Sequence, residues 1–150
     1  IGAFIAGRLK GRHVIPYIFM QLLGALVASL FVITILGKNY GIGANTVGEF
    51  GILSALLVEI ILTFLFMIVI LQSTKENNYH AALPIGFFLL IAHLFAIPIS
   101  GSSLNPARSF GPALIIGGTA LKQLWIYILG PLVGAIAAAL VNRLIEFSRR

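Results

Sequence analysis

Long apolar runs separated by short polar breaks dominate the chain. Residues 14–36 are apolar except for Gln21, Ser29 and Thr34, and residues 52–71 hold one ionisable side chain, Glu59. Residues 81–97 carry His93 near their end, with Pro98 placed to stop the run, and residues 124–145 close the series. A helix crosses the hydrocarbon layer of a bilayer in about 20 residues, so the pattern predicts four membrane-spanning helices. Between them lie a glycine-rich loop at 37–51 with Lys38, Asn39, Asn45 and Glu49, a polar turn at 72–80 with Lys75 and Glu76, and a turn at 117–123. Residues 1–7 are apolar but too short to span, and they end in the basic turn 8–13, so they read as the tail of something that begins upstream.

One stretch does not fit a lipid-spanning helix. Residues 100–113 read Ser-Gly-Ser-Ser-Leu-Asn-Pro-Ala-Arg-Ser-Phe-Gly-Pro-Ala, polar and with an arginine at membrane depth. Irregular polar backbone is tolerated there only where protein buries it or water lines it. Asn105 followed by Pro106 is a helix start, an N-cap side chain and then the residue favoured at the first helical position. The stretch therefore predicts a re-entrant half-helix beginning inside the membrane.

Composition agrees with a lipid exterior: 59% of the 150 residues are hydrophobic and 9% charged, against roughly 25% charged in soluble domains. The formal net charge of +6 comes from single basic residues at the ends of apolar runs. It forms no basic stripe interleaved with aromatics, which argues against nucleic-acid binding. No cysteine is present, so disulfides and thiolate metal sites are excluded. Lys and Arg distribution sets orientation: Arg8, Lys10, Arg12, Lys75, Arg143, Arg149 and Arg150 fall on one side, Lys38 and Lys122 on the other. The first side, with the C-terminus, is expected to be cytoplasmic.

An internal repeat sharpens the topology. A shift of 110 positions lays residues 2–30 over 112–140 with ten identities, among them Tyr17/Tyr127, Gly24/Gly134, Ala25/Ala135 and Ala28/Ala138. The two copies start on opposite sides of the membrane. That is an inverted-topology repeat, a layout that places transport sites near the midplane.

The candidate chemistry gathers around the re-entrant stretch. A half-helix starting at membrane depth aims free N–H groups and a partial positive charge inward, and Arg108 adds a full one. Such devices exclude protons and cations from water-selective pores. The Asn105 amide can donate to a passing water, and the carbonyls of Gly101, Ser102 and Ser103 can accept. His93 sits at a depth suited to a constriction. Glu59 is expected to be a buried acceptor for backbone N–H groups of a neighbouring loop, with a proton site in a transporter as the alternative. Gln21 is expected to be a buried helix–helix or loop hydrogen bond. No nucleophile–base pair, paired carboxylates or metal-ligand spacing is present, so neither an enzyme nor a cofactor is expected.

Residues 104–113, Leu-Asn-Pro-Ala-Arg-Ser-Phe-Gly-Pro-Ala, preceded by His93 and Pro98, closely resemble the second signature loop of the aquaporins, the major intrinsic protein family. The resemblance covers the whole chain as a single partial channel domain. It implies an all-α right-handed membrane bundle with helices three to six present and helices one and two and the first Asn-Pro-Ala motif absent. It further implies that Asn105, Pro106 and Ala107 form the pore motif. His93, Arg108 and the backbone around Ser102 would belong to the narrow filter, and Glu59 would hold a pore loop. A homotetramer in the plasma membrane, passing water, is the implied assembly. His93 and Ser109 match the water-type pattern; glycerol facilitators carry a small residue and an aspartate at those places. A glycerol facilitator, or a proton-coupled transporter using Glu59 and His93, are the competing functions.

Overall fold

A computed structural model describes residues 1–37, 40, 42–75 and 79–148. The elements run α1 (Gly2–Ile5), a 3-10 turn (Gly11–His13), α2 (Val14–Leu36), α3 (Gly51–Ser73), α4 (Ala82–Ser100), α5 (Pro106–Ile116) and α6 (Gly118–Ser148). The described elements are all helical. Four of these helices, α2 with its leading 3-10 turn, α3, α4 and α6, are long and apolar enough to cross a membrane. At about 1.5 Å per residue, the 31 residues of α6 reach roughly 46 Å, beyond the ~30 Å hydrocarbon layer. Its last turns hold Arg143, whose guanidinium reaches the Ile5 carbonyl at 3.5 Å, and Glu146, which pairs with Arg8 at 3.0 Å.

The core lies where α3 meets α6, and small residues make the approach possible. A Cβ on Gly130 would stand 2.7 Å from the Glu59 Cβ, and one on Gly134 would stand 2.3 Å from the Ile60 carbonyl oxygen. Small residues four apart let two backbones pack closely where lipid supplies no hydrophobic drive between helices. Ala55, Ile126 and Tyr127 are fully buried in this seam.

The inverted repeat is visible in the packing. The half-helix α5 lies on α2, where a Cβ on Gly111 would meet the Ala25 carbonyl oxygen at 2.4 Å. The short α1 lies on α6, where a Cβ on Gly2 would meet the Ala135 carbonyl oxygen at 3.1 Å. The 110-residue shift carries Ala25 onto Ala135. Each half-helix therefore rests at the same point of the long helix from the other half.

Two boundaries differ from the sequence expectation. Pro98 does not end α4, which continues to Ser100 and stops at Gly101 with φ +73°. A proline near a helix end removes one N–H, the one that would reach the Leu94 carbonyl, without breaking the last turn, and the Gly48 N–H satisfies a terminal carbonyl, that of Ile99, at 3.0 Å. The expected turn at 117–123 is a one-residue break: Gly117, at φ +70°, ends α5, and α6 begins at Gly118. Polar Thr119, Lys122 and Gln123 looked like loop but belong to the first turns of α6. Lys38, Asn39, Gly41, Glu76, Arg149 and Arg150 lie outside the described residues.

Candidate functional site

Residues 101–105 lead from α4 into α5, and their backbone takes an unusual path. Gly101, Ser102 and Leu104 have φ of +73°, +52° and +54°. That region costs a non-glycine residue roughly 1–2 kcal/mol and persists only where the surroundings over-determine it. Here Glu59 does so. Wholly buried on α3, its Oε1 accepts from the Ser100 hydroxyl and the Ser103 N–H, each at 2.8 Å, and its Oε2 accepts from the Leu104 N–H at 2.7 Å. Every neighbour is a donor, which suits an acceptor-only carboxylate. Gly130 leaves the room in which Glu59 sits.

Asn105 is extended, at φ −153°, and caps α5. Its Oδ1 accepts from the Ala107 N–H at 3.0 Å and the Arg108 N–H at 3.4 Å, and Pro106 brings no N–H to satisfy. With Oδ1 committed to the helix, Nδ2 remains a donor on an exposed residue. The start of α5 thus presents an amide donor together with the helix end's partial positive charge, about half a unit. Ala107 is buried, and Pro106 is half-buried beside it.

Arg108 turns back toward the 42–50 loop. Its guanidinium donates to the carbonyl of Gly43 and to the Asn45 Oδ1. A cavity of about 240 Å³ opens beside it, lined by Ala25, Ser29, Val32, Gly43, Arg108 and Pro112. Among the described residues the one ion pair is Arg8–Glu146, so neutral acceptors hold the Arg108 charge.

The expected site residues divide between two places. Asn105, Arg108, Gly101, Ser103 and Glu59 come together around 100–109. His93 stands apart, half-buried on α4, where its Nδ1 bonds the Leu89 carbonyl at 2.8 Å. A carbonyl only accepts, so Nδ1 carries the proton. In the neutral ring Nε2 is then an acceptor. The Gly101 carbonyl, expected to face solute, already accepts from Asn45 Nδ2 at 2.8 Å. Ser102 is turned fully inward by its left-handed backbone, and its hydroxyl has no partner among the described residues. Gln21, expected to be buried, is exposed: α2 packs chiefly against α5, which leaves most of its surface open.

Sequence reasoning missed two residues. Asn45, 2% exposed, bonds Gly101, Arg108 and the Ser109 hydroxyl, the last at 2.7 Å. Gln123, on the first turns of α6, accepts from the Val47 N–H at 2.9 Å and pins the same loop. The only available signal was an asparagine in a loop too rich in glycine to be merely solvated.

The profile of the major intrinsic protein family matches residues 1–142. The chain is 35% identical to Aquaporin Z of Rhodopseudomonas palustris, covering 97% of this chain and 66% of that protein. It is 40% identical to Aquaporin Z of Brucella melitensis, covering 94% and 67%. The chain thus spans about two-thirds of the length of these relatives. Its fold matches the X-ray structure of the aquaglyceroporin from Plasmodium falciparum with a TM-score of 0.84 and 21% identity, over 96% of this chain and 69% of that one. The four spanning helices, the half-helix begun by Asn105-Pro106 and the family match to residues 1–142 lead to one assignment: the chain belongs to the major intrinsic protein family.

Proposed function

We propose that the full-length protein is a passive water channel that excludes protons and ions, assembled as a homotetramer in the plasma membrane with its C-terminus cytoplasmic. The observation that carries this reading is Arg108, at the start of a half-helix capped by Asn105 and bonded to neutral acceptors alone. A water reaching Asn105 meets a donor and the positive end of α5, so it turns its oxygen toward them and its hydrogens away. Neighbouring waters on either side are then oriented oppositely, which interrupts a continuous proton wire. Arg108 repels cations by charge.

The relatives named Aquaporin Z support water as the permeant. His93 and Ser109 add to this only through the family resemblance, whose glycerol facilitators carry a small residue and an aspartate at those places. The resemblance to an aquaglyceroporin is one of fold and does not favour glycerol. The transporter reading loses its carrier, because both oxygens of Glu59 are occupied by three donors from the 100–104 segment. Replacing Arg108 by valine in the full-length protein tests the reading. Proton and cation leak through proteoliposomes should rise well above that of the parent, while an unchanged leak would remove Arg108 from its proposed role.

A further inference from the structure

Asn45 sits where a loop, a filter candidate and a helix end meet, and the polarity of each contact is fixed. The Gly101 carbonyl can only accept, so the Asn45 Nδ2 must face it, at 2.8 Å. That orientation turns Oδ1 toward Arg108 and Ser109, both donors. The amide cannot flip without setting donor against donor and acceptor against acceptor. Glycines flank the tether on both sides. Gly43, at φ +75°, aims its carbonyl at Arg108, and a Cβ on Gly101 would lie 3.1 Å from Asn45 Nδ2.

We propose that Asn45 is a positioning residue that decides selectivity through Arg108, fixing where the guanidinium lies while leaving its charge uncancelled. The proposal rests on the water-channel reading above. A neutral amide does two jobs that an acid of the same shape would separate. Aspartate at position 45 would still accept from Arg108 through one oxygen, although its other oxygen would meet the Gly101 carbonyl without a donor and give up that bond. It would also set a negative charge against the guanidinium at hydrogen-bond distance and cancel the field that turns cations away. Alanine would remove the Asn45 acceptor and leave the guanidinium held by the Gly43 carbonyl alone, at unchanged charge. Size selection and charge selection therefore depend on different properties of one side chain.

The test uses the full-length protein in proteoliposomes, measuring water permeability, glycerol entry and proton leak for the parent, Asn45→Asp, Asn45→Ala and Arg108→Val. Asn45→Asp should keep glycerol out and raise proton leak by about tenfold or more, the scale of a partly cancelled unit charge. Asn45→Ala should raise glycerol entry severalfold. Adding Asn45→Ala to Arg108→Val should change neither leak nor glycerol entry further, because Asn45 acts through Arg108; a merely structural role would give additive losses. If the parent passes water while Asn45→Asp leaks no more than it, the proposal is overturned and the channel reading stands. If Asn45→Asp does not fold, Asn45→Ala decides, and unchanged glycerol entry overturns the proposal. A parent that passes no water overturns the channel reading and the proposal together.

Discussion

Glu59→Gln is the most informative single change outside the proposed pore. It keeps shape and volume but turns one acceptor oxygen into an amide donor. If the amide nitrogen takes the place of Oε2, the Leu104 N–H faces a donor; if it takes the place of Oε1, the Ser103 N–H does. Either way a buried backbone donor is orphaned, at a cost of about 1–3 kcal/mol, and the remaining bonds lose their charge assistance. Ser102 and Leu104 then lose part of what holds them at positive φ. For a protein of this size each kcal/mol shifts melting by about 2–4 °C, so the full-length Glu59→Gln variant should melt roughly 2–12 °C below the parent. Thermal unfolding in detergent, followed by loss of the monodisperse size-exclusion peak, measures the shift. Water permeability should fall alongside it, because Asn105 is presented by the same segment. Melting within 1 °C of the parent, about the scale of a neutral surface change, would show that the carboxylate does not hold the 100–104 path.

Three further outcomes follow from the packing. Gly111→Ala drives a methyl group to 2.4 Å from the Ala25 carbonyl oxygen and 2.7 Å from the Ser29 hydroxyl; overpacking of this kind costs about 1–3 kcal/mol, read as a lower melting temperature. Gly48→Ala places a Cβ 2.0 Å from the Pro98 carbonyl oxygen, so the 42–50 loop must lift off α4, and limited proteolysis should cut it faster than in the parent. Arg8→Ala removes the exposed pair with Glu146 and should leave the melting temperature unchanged, since solvent screens such pairs, measured by the same melting assay.

The span α2 was legible to the residue because a basic turn and Gly37 bound an apolar run with only Gln21, Ser29 and Thr34 inside it. The start of α5 was equally plain, since an asparagine before a proline has few other readings. Pro98 is not the stop because the N–H it lacks concerns only the Leu94 carbonyl one turn back, whereas Gly101 in the left-handed region ends the helix. Gln123 was hidden because polarity in the first turns of a helix looks the same as polarity in a turn. Glu59 announced itself as an ionisable group in an apolar run, but its partners lie 41 to 45 positions away, a distance no local pattern reports. Asn45 was least visible of all. Its meaning comes from Gly101, Arg108 and Ser109, 56 to 64 positions away, brought to it by the fold alone. The contacts of Glu59 and Asn45 are long-range, whereas the apolar pattern that makes the helices is local.

The central claim, a water channel closed to larger solutes and to protons, is tested most directly by osmotic shock of proteoliposomes carrying the full-length protein. Stopped-flow light scattering should record shrinkage much faster than in empty vesicles, glycerol entry close to that of empty vesicles, and no uptake driven by a proton gradient. Shrinkage no faster than in empty vesicles, or glycerol entry as fast as water loss, would contradict it.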